Sequence, residues 1–388
     1  MRRLRPLLGL TLLATPTMAQ TVRLPVTTLD GRRLSAAAVD STVTDAMARE
    51  RVTGLAVAII NRGTVVYLRA FGERNAVTHD LLTTRSTMYA ASFTKTMFAH
   101  LVLQLVEQHV LELDRPVVSY TGPLDTVVKW ADLAGDPRHR KITARMLLSH
   151  TSGFSNFRFL NPGEKLLINF EPGSRYAYSG EGLNFLQYVI ECITGTSLTA
   201  LMREKVFQPL GMSHTSMVWD STFASDLAMG HDSSGAMIGH SRRSAPRAAG
   251  SADTNIEDMA RYLVAMLDGT GLTPASRRAM LSPQIRIHSD HQFPTLDTLT
   301  TTRDDAVQLS YGLGWGLVMS PYGRAFFKEG HDDITNNHMI AFDGPRSGMI
   351  VMTNSGRGDR VFPRLFATLL GDRYSPWAWN GLAPVPNR

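Results

Sequence analysis

Strand-like runs lie at both ends of this chain of 388 residues, and helix-like runs fill its middle. That order limits the fold more than any other feature. Near the start, "GLAVAII" and "TVVYLRAFG" are β-rich stretches joined by Asn61-Arg62-Gly63, a hairpin signal. Near the end, "YGLGWGLVM", "GRAFFK", "NHMIAF" and "SGMIVMTN" read as strands, divided by Pro321-Tyr322-Gly323 and Asp343-Gly344-Pro345. Between them, "YAASFTKTMFAHLVLQLVEQH" repeats Met97, Leu101, Leu105 and Val106 at helical spacing. "ITARMLLSH" reads as a short helix stopped by Ser152-Gly153. Leu183 to Thr194 and Leu198 to Phe207 are helices divided at Gly195-Thr196. Ile256 to Leu267 is a helix capped by Asn255 and stopped by Gly269, and Val361 to Leu370 closes the chain. Terminal strands are most simply placed in one sheet, with the helical middle inserted beside it. The expected class is α/β (α+β): an antiparallel sheet from about 36–95 and 305–388, and a mostly helical insertion over about 96–304. A cleft between the two is the expected active site.

The first residues carry a different signal. Arg2, Arg3 and Arg5 precede a short apolar run, Leu7 to Ala14, then Thr17 and Ala19. This is the order of a secretory signal peptide, with cleavage expected after Ala19 and a destination in the periplasm or outside the cell. No other run is apolar and long enough to suggest a membrane span. Removing three signal arginines lowers the formal charge of +6 to about +3. Neither that charge nor the basic run Arg138-His139-Arg140-Lys141, which has no interleaved aromatics, suggests a nucleic-acid partner. The lone cysteine, Cys192, excludes an intramolecular disulfide and reads as a small buried hydrophobe on an apolar helix.

The chemistry centres on Ser92-Phe93-Thr94-Lys95 at the head of the first long helix. Three residues apart, the serine and lysine share one helix face. A serine hydroxyl needs a base to become a nucleophile. A lysine serves as that base when burial or a nearby cation lowers its pKa. The free N–H groups of the first helical turn also suit a developing oxyanion. S-x-x-K alone is common by chance. Here, however, six lysines stand against thirty-four arginines, so a lysine marks a place where arginine would not do. Arginine keeps its proton and cannot act as a base. A second such lysine, Lys328, ends a predicted strand ahead of Glu329 and Gly330.

These residues resemble the penicillin-recognising serine hydrolases, in the branch of class C β-lactamases, D-alanyl-D-alanine peptidases and related esterases. That family carries S-x-x-K, then Y-x-N, then K-T-G or H-x-G on a strand. The second element is similar to Tyr178-Ser179-Gly180, which follows Pro172-Gly173, and the third to Lys328-Glu329-Gly330. "LLSHTSG", "PLGMSHTSM", "AAGSADTNIEDMARYL", "YGLGWG" and "GMIVMTNS" follow in family order, so the resemblance spans roughly Asp40 to Leu370. It implies that Ser92 is acylated and that Lys95 and Tyr178 share general-base duty. It implies that Lys328 keeps Tyr178 acidic, and that the N–H groups of Ser92 and His331 form the oxyanion hole. Tyr176 competes for the tyrosine role, but the Pro-Gly offset favours Tyr178. No cofactor or metal is expected; His331-Asp332-Asp333 lacks the spaced ligands a metal needs.

Two positions depart from the pattern. Gly180 stands in place of asparagine, whose amide would bond the lysine and the substrate. Glu329 stands in place of threonine. Alternation along a strand would point Lys328 and Glu329 to opposite faces, with twist as the one way to bring Glu329 to the cleft. His150 reads as a hydrogen-bonded structural residue and Trp315 as a core aromatic. The substrate is a small molecule or peptide, with ester, β-lactam and D-amino-acid amide bonds all open. A ligand sensor with decayed chemistry is the competing class. The presence of Ser92, Lys95, Tyr178 and Lys328 together speaks against decay. The sequence leaves the oligomeric state open.

Overall fold

The computed structural model describes residues 21–384. The expected signal peptide lies outside the described residues. One antiparallel sheet organises them. Its strands are β1 (Val22–Arg23), β2 (Gly54–Asn61), β3 (Thr64–Asn75), β4 (Ile285–Arg286), β5 (Ser310–Tyr311), β6 (Gly316–Ser320), β7 (Gly323–Asp332), β8 (Thr335–Phe342) and β9 (Ser347–Thr353). They lie in the order β1-β3-β2-β9-β8-β7-β6-β5-β4, with Asp80–Leu81 added to β3. The amino-terminal hairpin therefore joins the carboxy-terminal strands through β2 and β9, where Val57 pairs with Val351.

Both faces of the sheet are covered. On β2, Ala56, Ala58 and Ile60 enter one core cluster, while Leu55, Val57 and Ile59 enter another. The strand is buried from Gly54 to Ile60, so its sequence is a continuous apolar run rather than an alternation. α1 (Ala36–Glu50) and the closing segment Phe362–Leu370 share the second cluster. α2 (Phe93–Glu107), α4 (Gly180–Thr194) and α5 (Ile256–Asp268) share the first, together with the short α3 (Ala144–Leu148). α5 falls within the insertion by sequence, yet it packs against β2, β3 and β9. Its caps are as read: Asn255 accepts from the Asp258 N–H, and Gly269 adopts the left-handed conformation.

Two elements differ from the sequence reading. "YGLGWGLVM" is not one strand; it is β5 and β6 around a tight turn. At that turn Gly314 has φ +85°, and a Cβ there would lie 2.5 Å from the Ala99 Cβ on α2. Glycine both turns the chain and lets it touch the helix. Cys192 is exposed, because it faces away from the buried stripe Leu183, Leu186, Val189 and Ile190 of α4. Among the described residues no single helix is long and apolar enough to cross a membrane.

Gly314→Ala is expected to cost about 1–3 kcal/mol, since it combines overpacking with a strained φ. Urea unfolding at neutral pH measures it, and an unchanged midpoint would show that α2 and the turn can separate freely.

Candidate active site

Ser92 occupies the cap position of α2, immediately before Phe93. Its side chain makes no capping bond, so the hydroxyl is left for chemistry. One turn on, Lys95 is buried, and its Nζ lies 2.9 Å from Ser92 Oγ. The ammonium also donates to the Ala249 carbonyl. Ala249 belongs to the "AAGSADT" stretch, and its N–H donates to Asn184 Oδ1 on α4 at 3.2 Å. Thus the base is held between two helices. Burial lowers the Lys95 pKa and the neighbouring Lys328 charge lowers it further, against the opposing effect of Tyr178; the net shift is downward.

Tyr178 sits just before Ser179, the N-cap of α4, whose hydroxyl accepts from the Gly182 N–H at 2.9 Å. His150 fixes this corner. Its carbonyl accepts from the Ala177 N–H at 2.8 Å, and its Nδ1 accepts from the Ser179 N–H at 3.2 Å. The imidazole is buried and packs 4.4 Å from the Tyr178 ring. Burial, then the charges of Lys95 and Lys328, hold His150 well below its ordinary pKa, so it is a neutral support. The Lys95 and Lys328 Nζ atoms lie 4.9 and 4.8 Å from the Tyr178 ring centre. Burial raises the phenol, but the two lysines and a hydrogen bond with Ser92 outweigh it and bring it down. Tyr176 lies elsewhere, against Tyr311 and Trp379, and burial pushes its phenol well above the ordinary value.

The third wall is β7. β6 stops pairing with it at Phe327, which leaves Lys328 and the residues after it without a neighbour on that side. At this edge the side chains of Lys328 and Glu329 meet despite strand alternation: Lys328 Nζ lies 2.6 Å from Glu329 Oε1 and 3.0 Å from the Glu329 carbonyl. The missing β6 neighbour lets the long lysine side chain turn around the strand edge to its partner. Gln292 Nε2 donates to the same carboxylate oxygen at 2.6 Å. Burial raises the Glu329 pKa, but Lys328 outweighs it and holds the carboxyl at about 2. Lys328 is raised in turn by Glu329, despite its burial. One lysine is therefore held as a cation and the other is biased towards the free amine.

Gly330 lets strand and helix meet. A Cβ there would lie 2.7 Å from the Ala90 carbonyl and 3.0 Å from the Ser92 nitrogen. Among the described residues the Ser92 N–H donates to no protein acceptor. His331 is exposed beyond Gly330, with its ring 5.5 Å from that of Phe293. Gly180 begins α4, and the asparagine of the Y-x-N pattern would fit there only if its neighbours shifted by a few tenths of an ångström. Its Cβ position lies 3.0 Å from Phe157 Cε1 and 3.1 Å from the Asn156 carbonyl. Ala249 lies within the quoted "AAGSADT" stretch and Asn184 within the predicted helix Leu183 to Thr194, but neither has a site role in the sequence reading, which singles out neither Asn156 nor Gln292.

The Ser92 hydroxyl, a lysine and a phenol with lowered pKa values, and a second lysine paired with a carboxylate thus lie together. The profile of the beta-lactamase family matches residues 39–370. The chain belongs to the beta-lactamase family. Over 206 residues it is 29% identical to a lovastatin esterase from Penicillium rubens, covering 45% of this chain and 51% of that protein. Over 354 residues it is 27% identical to penicillin-binding protein 4 of Amycolatopsis lactamdurans, covering 84% and 88%. The fold matches that of an octameric penicillin-binding protein homologue from Pyrococcus abyssi, with a TM-score of 0.72 and 21% identity over 89% of this chain and 80% of that one. Other relatives in this family of serine hydrolases are named as an esterase, a β-lactamase and a putative D-alanyl-D-alanine carboxypeptidase.

Lys95→Arg keeps charge and length but removes the capacity to accept a proton, so turnover is expected to fall about a hundred- to ten-thousand-fold. Tyr178→Phe is expected to fall comparably and Tyr176→Phe only mildly; the reverse order in steady-state kinetics would move the role to Tyr176. A second expectation concerns acid. Glu329 has a lowered folded-state pKa, so its stabilisation is complete above the ordinary value and is lost as pH falls towards about 2. Glu329→Gln leaves the Lys328 charge buried and unpaired, at a cost of about 3–5 kcal/mol at neutral pH. It should also flatten the loss of stability between pH 5 and 2. An acid limb as steep as that of the wild type, in denaturant titrations across this range, would show that the pair contributes nothing.

Proposed function

We propose that the chain is an exported serine hydrolase that forms an acyl-enzyme on Ser92 and prefers neutral esters to β-lactams and D-alanyl peptides. The observation that carries the preference is the 2.6 Å contact between Lys328 and Glu329. A lysine free in this position would attract the carboxylate of a penicillin or a D-alanyl peptide. Here the neighbouring carboxylate neutralises it and repels a second anion. A neutral ester loses nothing by this. Gly180 adds to the effect, since it has no side-chain amide to hold an acylamino group. The similarity to a lovastatin esterase supports the same reading. Export rests on the order of residues at the amino terminus.

The steps follow from the geometry. Ser92 Oγ attacks the ester carbonyl as its proton moves to Lys95 Nζ, 2.9 Å away, with Tyr178 as the second acceptor. The carbonyl oxygen, now an anion, takes the Ser92 N–H and, by the family resemblance, that of His331. The C–O bond to the alcohol breaks, and Tyr178 returns a proton to the leaving oxygen. Water then attacks the acyl-enzyme with the same groups as base, releasing the acid and restoring Ser92.

Purified protein assayed with p-nitrophenyl butyrate and nitrocefin is expected to show the higher kcat/KM on the ester. Glu329→Thr should move the ratio about ten-fold towards nitrocefin, if one screened charge interaction sets it. A wild-type preference for nitrocefin over every p-nitrophenyl ester tried would make the chain a β-lactamase in activity. Intact-mass labelling with a fluorophosphonate belongs to the same experiment: an adduct that persists in Ser92→Ala would remove Ser92 from the mechanism.

A further inference from the structure

The loop 155–161 packs on the start of α4, two residues after Tyr178, and presents Phe159 and Leu160 to solvent. The rings of Phe157 and Phe159 stack, with centres 5.3 Å apart and planes 12° from parallel. Phe159 is 62% exposed and Leu160 60% exposed. Isolated exposed apolar residues are ordinary, but a group of them beside a reactive centre is a binding feature. This loop is also clamped. The Asn156 carbonyl accepts from the Gly180 and Glu181 N–H groups at 3.0 Å each, and Asn156 Oδ1 accepts from Gly180 at 2.9 Å. Arg158 pairs with Glu181 at 3.0 Å and donates to the Lys129 carbonyl at 2.8 Å. Asn161 Nδ2 donates to Ser155 Oγ at 2.9 Å. The polar atoms fasten the loop to the start of α4, while its large apolar side chains point outward.

Phe157 ties this apolar group to the chain just after Tyr178: it is the residue that crowds Gly180, two positions on. Against the Tyr178 ring itself, Phe293 packs edge-on at 5.6 Å and is 38% exposed. A chain attached to the scissile carbonyl or to its alcohol would leave the polar centre between apolar walls. We infer that Phe157, Phe159 and Leu160 form a subsite for an aliphatic chain, so that the substrate is an ester with an apolar chain in its acyl or its alcohol part. This rests on the ester reading above and names its substrate class.

The test replaces the two exposed side chains, Phe159→Ser with Leu160→Ser, where a polar change leaves the fold intact. Two ratios of kcat/KM are read: p-nitrophenyl octanoate over p-nitrophenyl acetate, and octyl acetate over ethyl acetate. At least one is expected to fall roughly ten-fold, the effect of about two buried methylenes. A fall in the first places the acyl chain on the lip, and a fall in the second places the alcohol chain there. Val77→Ser, at a 67% exposed position on a distant turn, should change neither. Calorimetric binding of 1-octanol, which has no scissile bond, separates the lip from the chemistry. Ser92→Ala should bind it as the wild type does, and the double variant about ten-fold more weakly. Unchanged ratios, or unchanged octanol binding in the double variant, overturn the subsite. Octanol binding that depends on the lip, in a protein that hydrolyses no ester, would instead overturn the ester reading alone.

Discussion

Two buried lysines around one tyrosine form the constraint on which the site depends. Both ammonium groups within 5 Å of the Tyr178 ring centre would repel each other if both stayed charged. Glu329 stabilises the charge on Lys328, while burial and that neighbouring charge lower the pKa of Lys95. Burial raises the phenol, but the charges of Lys328 and Lys95 lower it further than Glu329 raises it. The carboxylate therefore acts twice. It sets the protonation pattern within the cleft, and it removes the free positive charge that an anionic substrate would seek.

The scaffold brings these groups together through two close approaches. Gly330 brings β7 against the first turn of α2, where the Ser92 nitrogen lies. Gly314 brings the turn between β5 and β6 against Ala99, one turn after Lys95 on the same helix. A side chain at either place would move the helix that carries nucleophile and base. The third element, the corner at Tyr178, is held by backbone bonds to His150 and by the Ser179 cap. Each contact is short in space and long in sequence, so the site needs the complete sheet and the helices on its face.

Much of the fold was legible because local signals agreed with one another. Asn255 and Gly269 bounded α5 as caps do, and Ser179 with Gly195 bounds α4 in the same way. The hairpin of β2 and β3 showed in β-rich runs about a Gly-bearing turn. The glycine-rich "YGLGWG" misled, since its apolar residues continue through a turn that only the contact with α2 explains. Cys192 misled for a related reason: an apolar helix still has one face turned to water.

The sequence by itself determined which residues could do chemistry. In a chain with six lysines against thirty-four arginines, Lys95 one turn after Ser92 stood out as a base, and Lys328 before Gly330 as its distant companion. It also determined the order of strands and helices, because their periods and caps are local. Only the tertiary structure decided how the charges are shared. Strand alternation placed Lys328 and Glu329 apart, yet the edge left where β6 stops pairing lets them meet. That edge depends on how three strands align, which no local pattern encodes. The space at Gly180, narrowed by Asn156 and Phe157, is a contact across more than twenty residues and was equally out of reach.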